Sequence, residues 1–189
     1  MKKIGILGGT FDPPHNGHLL IANEVLHALQ FDEIWFMPNQ EPPHKSKTNG
    51  IPNEDRLNML RLAIDGNVSF KIEMIELERT GPSYTVDTMK MLTKLHPQCS
   101  FYFIIGADMI EYLSKWHKID ELMGIVRFVG VNRPAYHSGT NFPVIQVQVP
   151  QIEISSSDIR KRINEGKPIR YLLPDPIISF IKERHLYGP

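Results

Sequence analysis

The chain has 189 residues, of which 41% are apolar and 22% are charged, values typical of a soluble globular domain with a substantial core. Lys and Arg together number 21, and so do Asp and Glu, so the formal net charge is zero. This balance argues against a protein that coats nucleic acid, which needs a surplus of basic residues, but it allows a small phosphorylated substrate in a locally positive pocket.

The chain has one cysteine, Cys99, so it cannot form an intrachain disulfide. The apolar run that begins at Ile4 is too short for a signal peptide, and no stretch reaches the length of a membrane span. We therefore expect a single domain over residues 1–189, located in the cytoplasm, with no membrane or nucleic-acid partner.

Short apolar runs alternate with helical spacings along the whole chain. In chain order, the predicted elements are a strand at 3–7, a helix at 18–30, a strand at 33–37, a helix at 53–65, a strand at 70–77, a helix at 85–94, a strand at 101–105, a helix at 119–123, strands at 128–131 and 144–149, and helices at 157–165 and 176–183. This order predicts a doubly wound, mainly parallel α/β sheet with helices on both faces. In such sheets, ligands bind beyond the carboxyl ends of the strands.

The segment Gly8–His18 (GGTFDPPHNGH) follows the first predicted strand and opens the first predicted helix. Glycines at such a turn let the backbone approach an anion, and the helix start adds a partial positive charge. His15 and His18 are three residues apart, so both imidazoles can lie on one face. Two such imidazoles suit phosphoryl or nucleotidyl transfer, which needs mainly positioning and charge stabilisation.

The familiar phosphate-binding and metal-binding motifs fit this segment less well. It lacks the Gly-Lys-Ser/Thr ending of a Walker loop and the G-x-G-x-x-G spacing of a dinucleotide fingerprint. The two histidines have no third ligand in a recognised zinc spacing, so we expect no metal held by protein side chains. A structural strand-to-helix turn is the remaining alternative.

A second signature, Ile154–Arg160 (ISSSDIR), precedes the penultimate predicted helix. Ser155 followed by Asp158 makes a loose capping box, which is the structural interpretation. The functional interpretation is that Ser155, Ser156 and Arg160 bind phosphate oxygens at a helix start.

Together the two signatures resemble the nucleotidyltransferase superfamily that carries an (H/T)-x-G-H motif near its start and I-S-S-T-x-I-R near its end. Ser157 stands where threonine is usual, which keeps the hydroxyl. The resemblance implies a Rossmann-like fold in which the C-terminal helices, about 155–189, complete the ATP site. It also implies that catalysis rests on His15, His18 and Arg160 and that Mg²⁺ arrives with ATP. The ATP-binding positions implied are Gly8, Gly9, Thr10, Phe11, Gly106, Asp108, Ser155 and Ser156.

Over essentially the whole chain, the sequence resembles the bacterial nicotinate-mononucleotide adenylyltransferases. The stretches that carry this resemblance are 37–39, 42–45, 81–88, 105–108, Trp116 and 131–134. It implies ATP and nicotinate mononucleotide as substrates, deamido-NAD as product and a possible homo-oligomer. The mononucleotide-binding positions implied are Asn39, His44, Lys45, Tyr84, Thr85, Trp116 and Arg133.

The chemistry of several of these residues suggests which part of the substrate each one binds. A Trp116 face attracts a cationic pyridinium ring, and backbone N–H groups at the helix start of Thr85 favour a carboxylate. Packing in the core is the alternative for Trp116, and a solvated loop charge is the alternative for Lys45.

Three rival functions stay open at this point. Phosphopantetheine adenylyltransferase is the nearest, although that family typically has Thr at the position of His15. A preference for nicotinamide mononucleotide is the second, and a module that binds ATP without chemistry is the third.

Overall fold

A computed structural model describes residues 1–40, 51–79, 84–132 and 141–188. Its strands are β1 (Lys2–Gly9), β2 (Glu33–Pro38), β3 (Phe70–Ile72), β4 (Cys99–Gly106), β5 (Arg127–Asn132) and β6 (Val144–Gln148). All six lie in one sheet in the order β3-β2-β1-β4-β5-β6, and every neighbouring pair is parallel. The predicted doubly wound α/β sheet is confirmed.

The helices cover both faces of this sheet. They are α1 (Asn16–Ala28), α2 (Asn53–Ile64), α3 (Thr85–Leu95), α4 (Ala107–Glu111), α5 (Ile119–Met123), α6 (Ser156–Asn164) and α7 (Asp175–Glu183), with a short 3-10 helix at Leu113–Lys115. One core cluster joins strand residues to α3 and α5, and another joins the opposite strand face to α1 and α2. A third cluster joins α2, α6 and α7, so the two last helices pack on the first half of the chain.

The strand order reverses between β1 and β4. From β1 the chain runs outward through β2 to β3, and then returns to the other side of β1 as β4. The loops that leave β1 and β4 therefore diverge above the sheet and open a crevice between them, which is where ligands bind in folds of this type.

Three details differ from the predicted elements. β3 ends at Ile72 rather than at Leu77, because residues 74–77 form a turn closed by a hydrogen bond from the N–H of Leu77 to the carbonyl of Met74 at 2.8 Å. Ile75 and Glu76 are both buried, which is incompatible with strand alternation. Neither α4 nor the 3-10 helix was predicted from the sequence.

Among the described residues, no helix combines the length and the apolar character that crossing a membrane requires.

Candidate active site

The loop that leaves β1 is tightly packed where it begins. A Cβ atom on Gly9 would lie 3.1 Å from the ring of Phe11, so the aromatic ring occupies the space that a side chain would need. Phe11 itself is only 1% exposed and has a φ of 50°, in the left-handed region that non-glycine residues rarely adopt. Gly9 and Phe11 thus bring the backbone around sharply between β1 and α1.

His15 and His18 meet at the start of α1, as the sequence predicts. Their rings are stacked with centroids 3.6 Å apart and an angle of 25° between the planes. His15 is the N-cap of α1 and is 6% exposed, and its backbone N–H donates a hydrogen bond to Nδ1 of His18 at 3.2 Å. Because Nδ1 of His18 accepts, the neutral ring carries its proton on Nε2 and can donate it to a ligand.

Both imidazoles are electrically neutral at physiological pH. Burial lowers the pKa of His15 to about 4. Burial, and then the neighbouring His15, lower the pKa of His18 well below its usual value. Nδ1 of His15 is buried over the start of α1 and has no hydrogen-bond partner among the described residues.

The low pKa of His15 predicts a pH-dependent stability. Between about pH 6.5 and pH 4 the unfolded chain binds a proton that folded His15 does not, so the free energy of unfolding should fall as the pH falls through this window. The loss attributable to His15 is at most about 3 kcal/mol. Urea unfolding at several pH values would measure it, and H15Q should flatten the slope; an equal slope in that variant would contradict the assignment.

The second signature lies against the same loop. Ser155 is the N-cap of α6, and its hydroxyl oxygen accepts a hydrogen bond from the N–H of Asp158 at 3.1 Å, which confirms the predicted cap. The Ser156 hydroxyl donates to the carbonyl of Pro13 at 2.9 Å, and Nη1 of Arg160 donates to the carbonyl of Asp12 at 2.7 Å. The tip of β1 and the start of α6 therefore converge.

Arg56 is a central residue that was not predicted from the sequence. Its guanidinium donates to the carbonyl of Thr10 at 2.7 Å, to the carbonyl of Asn39 at 2.8 Å and to Oδ1 of Asn53 at 2.6 Å. The residue is 4% exposed, and burial lowers its pKa, an effect that Asp12 opposes. A sequence signal existed, since Arg56 shares a helical face with the apolar residues three and four positions later.

A cleft of about 530 Å³ opens above the point where the strand order reverses. His15 and Gly17 line it from the first signature, Gly106 and Asp108 from the turn between β4 and α4, and Ile154 from the segment before α6. The structure thus brings His15 together with the two predicted residues after β4. The other signature residues, Gly8–Phe11, His18 and Ser155–Arg160, are not among those that line it.

Two of the predicted mononucleotide residues, Tyr84 and Thr85, lie at the start of α3. Thr85 is the first residue of this helix, as the sequence predicts, and Tyr84 is its N-cap. The Tyr84 ring packs on the His117 ring with centroids 4.4 Å apart. His117 directly follows Trp116, so this contact brings the Trp116 segment to the start of α3. Inside the helix, the Thr88 hydroxyl donates to buried Glu76 at 2.9 Å and accepts from Arg79 at 3.0 Å, which anchors its first turn.

Trp116 packs at the edge of the core. Its ring meets those of Phe103 and Phe128 edge-on, with centroids 5.9 and 5.8 Å away. The indole N–H is buried and has no hydrogen-bond partner among the described residues. Trp116 therefore packs in the core, and because its ring is only half-buried it can also present one face to a substrate.

Asn39 follows β2 and lies beside the first signature. Its N–H donates to the carbonyl of Gly9 at 3.0 Å, and its buried Oδ1 has no partner among the described residues. His44, Lys45 and Arg133 lie outside the described residues.

Within the described part of the chain, no three His, Cys, Asp or Glu side chains come close enough together to hold a metal ion.

Comparisons with known proteins agree with this geometry. A family model described as cytidylyltransferase-like matches residues 6–162. The nicotinate-nucleotide adenylyltransferase of Bacillus subtilis is 54% identical over 187 residues, which cover 99% of each chain. A Geobacillus thermodenitrificans protein named "Probable nicotinate-nucleotide adenylyltransferase" is 60% identical, over 100% of this chain and 87% of its own.

A solved structure extends the agreement to the fold. The Plasmodium falciparum nicotinic acid mononucleotide adenylyltransferase complexed with NaAD has a TM-score of 0.81 at 24% identity, covering 99% of this chain and 98% of its own. The two signatures pack against each other, a cleft opens where the strand order reverses, and relatives at 54% and 60% identity match 99–100% of this chain. The chain therefore belongs to the nicotinate-nucleotide adenylyltransferase family, within the cytidylyltransferase-like group.

Proposed function

We propose that this chain transfers the adenylyl group of ATP to nicotinate mononucleotide, giving deamido-NAD and pyrophosphate in NAD biosynthesis. The observation that carries the proposal is the stacked His15–His18 pair at the start of α1, beside a cleft that also reaches Gly106 and Asp108. The names of the matching relatives support the same reaction and the same acceptor.

The reaction is a direct in-line displacement. An oxygen of the mononucleotide phosphate attacks the α-phosphorus of ATP and forms the new P–O bond, while the bond to the bridging oxygen breaks and pyrophosphate leaves. No side chain acts as nucleophile, so the protein contributes positioning and charge stabilisation.

The imidazole pair supplies donors to the non-bridging oxygens. His18 donates through Nε2 as a neutral ring, because the N–H of His15 holds its Nδ1 as an acceptor. The negative charge of a bound triphosphate favours the protonated form of a nearby imidazole, so ATP raises the pKa of His15 from its low resting value.

Arg160 and the start of α6 provide the second set of donors. One arm of the guanidinium is used on the carbonyl of Asp12 and another approaches the Ser157 hydroxyl at 3.3 Å. The remaining N–H groups of Arg160 and the first backbone N–H groups of α6 can donate hydrogen bonds to the β- and γ-phosphates. Gly106 and Asp108, at the opposite side of the cleft, are assigned to the adenosine.

The acceptor site is assigned to the start of α3 and Trp116. The first N–H groups of a helix favour an anion, so a carboxylate on the pyridine ring is preferred there over a neutral amide. The exposed part of Trp116 can stack on the cationic ring. Asn39, His44, Lys45, Tyr84, Thr85 and Arg133 complete the proposed acceptor set.

Mg²⁺ enters with ATP and neutralises charge on its phosphate oxygens. A cytoplasmic location, a homo-oligomer and the absence of nucleic-acid partners stay predictions.

A substrate panel tests the assignment. Pyrophosphate release is measured with ATP and Mg²⁺ against nicotinate mononucleotide, nicotinamide mononucleotide and phosphopantetheine. We expect kcat/KM for the acid to exceed that for the amide by about tenfold or more, since the site would leave its donors unpaired with the amide. Higher turnover of phosphopantetheine would identify the rival transferase, and no release with any acceptor would identify a nucleotide sensor.

A further inference from the structure

The segment that follows α7 returns to the loop that carries the histidine pair. The Tyr187 hydroxyl donates a hydrogen bond to Oδ1 of Asp12 at 2.6 Å, across 175 positions of sequence. Asp12 is 5% exposed and lies three residues before His15. This is a side-chain contact from the last described part of the chain to the phosphate-binding loop.

Asp12 lies at the centre of the contacts that hold this loop. Arg160 binds its carbonyl, and Ser156 binds the carbonyl of the next residue, Pro13. Arg56 binds the carbonyl of Thr10. These three bonds hold backbone carbonyls of the loop, whereas the Asp12 carboxylate accepts its hydrogen bond from Tyr187.

The contact between Tyr187 and Asp12 is strong for its type. A short hydrogen bond from a hydroxyl to a buried carboxylate is charge-assisted. Burial, and then the Asp12 carboxylate, raise the pKa of Tyr187, so the phenol keeps its proton and stays a donor at any working pH. Tyr187 also has a φ of 64° and His185 one of 50°, so contacts of this segment hold two residues in a backbone region that L-residues avoid.

Loss of the Tyr187 hydroxyl would change the direction in which the Asp12 carboxylate points, rather than unfold the protein. The negative charge of Asp12 is also attracted by Arg56, as the opposing effect of Asp12 on the pKa of Arg56 indicates. Without the hydroxyl, the carboxylate can turn towards a guanidinium or towards an incoming phosphate. Either movement alters the charge that ATP meets beside His15.

We propose that Tyr187 is a positioning residue for the phosphate-binding loop: its hydroxyl fixes the Asp12 carboxylate, and thereby the turn that presents His15 and His18 to the triphosphate. This inference rests on the proposed function, because it assigns the loop to ATP. It concerns a segment that neither signature includes.

The test compares Y187F with R184A. Both variants weaken the anchoring of the same segment, since Nη2 of Arg184 lies 3.3 Å from Oδ1 of Asp55 in α2, but only Y187F removes the contact to the loop. We expect Y187F to lower kcat/KM for ATP by about tenfold, since small displacements of reacting groups are costly. Its KM for nicotinate mononucleotide should stay within about twofold of wild type. R184A should lower Tm and leave both kinetic parameters unchanged.

The alternative outcomes are distinct. If Y187F lowers Tm like R184A and keeps the wild-type kcat/KM for ATP, Tyr187 is only structural and the inference is overturned. If the wild-type protein turns over no mononucleotide, the proposed function fails instead. In that case calorimetric titration with ATP alone decides the inference: weaker binding by Y187F supports it, and equal binding overturns it.

A double-mutant cycle gives a second readout. D12N keeps an oxygen that can accept from Tyr187 but removes the charge that strengthens the bond. The effect of Y187F on ATP affinity should therefore be smaller in the D12N background than in wild type. Additive effects of the two changes would show that Tyr187 does not act through Asp12.

Discussion

H18A should slow pyrophosphate release by about 100- to 1,000-fold while leaving the protein folded, since this is the usual cost of removing one positioned donor to a developing oxyanion. The neutral His18 ring carries its donor proton on Nε2, because its Nδ1 accepts from the N–H of His15. It also stacks on His15 and meets Phe11 edge-on at 5.0 Å, so its position is fixed before ATP binds. Steady-state turnover with saturating ATP and nicotinate mononucleotide would measure the change.

The matched control is H27A. His27 lies in the last turn of the same helix and is exposed, so its replacement tests the loss of a histidine from α1 without touching the site. H27A should keep turnover within about twofold of wild type. A folded H18A protein that releases pyrophosphate at the wild-type rate would remove His18 from the mechanism.

R56M should lower the free energy of unfolding by about 3–5 kcal/mol, because three acceptors would lose their donor and each unsatisfied group costs about 1–3 kcal/mol. The carbonyls of Thr10 and Asn39 and the side chain of Asn53 would all lose their donor, in a place where only 4% of Arg56 is exposed. Because Thr10 and Asn39 border the site, activity should also fall in the fraction that remains folded. Urea unfolding and turnover corrected for the folded fraction would measure both effects.

R61M is the control for this change. Arg61 is an exposed residue of the same helix and donates to Oδ1 of Asn58 at 2.9 Å, so its loss should cost less than about 0.5 kcal/mol. R56K should fall between the two, since a single ammonium cannot span acceptors that a planar guanidinium reaches at once. Equal unfolding free energies for R56M and R61M would contradict a structural role for Arg56.

Local patterns predicted the sheet and both signatures well. The order of strands and helices can be predicted from periodicity within short windows. The two histidines lie close together because they are three residues apart at one helix start. The cap at Ser155 is equally local. These features need no knowledge of what lies elsewhere in the chain.

The supporting contacts could not be predicted in the same way. Arg56 binds the carbonyl of Thr10, 46 positions away, and Tyr187 reaches Asp12 across 175 positions. In both cases a polar side chain on one element satisfies polar groups of another. The helical face of Arg56 indicates that the residue is buried, but a single sequence does not say which groups it binds. The prediction of β3 was too long for a related reason. Glu76 is buried and accepts a hydrogen bond from Thr88, and the hydrophobic pattern does not encode this contact.

The order of the strands divides the sheet into two continuous pieces of sequence. One side consists of β1, β2 and β3, all before residue 73, and the other of β4, β5 and β6, all after residue 98. The boundary between them is also where the cleft opens, so a fragment with only the first piece would carry the histidines but lack the wall formed by Gly106 and Asp108. ATP bound across this boundary, as proposed, would contact both pieces only in the folded chain, and it should therefore raise the free energy of unfolding of the whole chain.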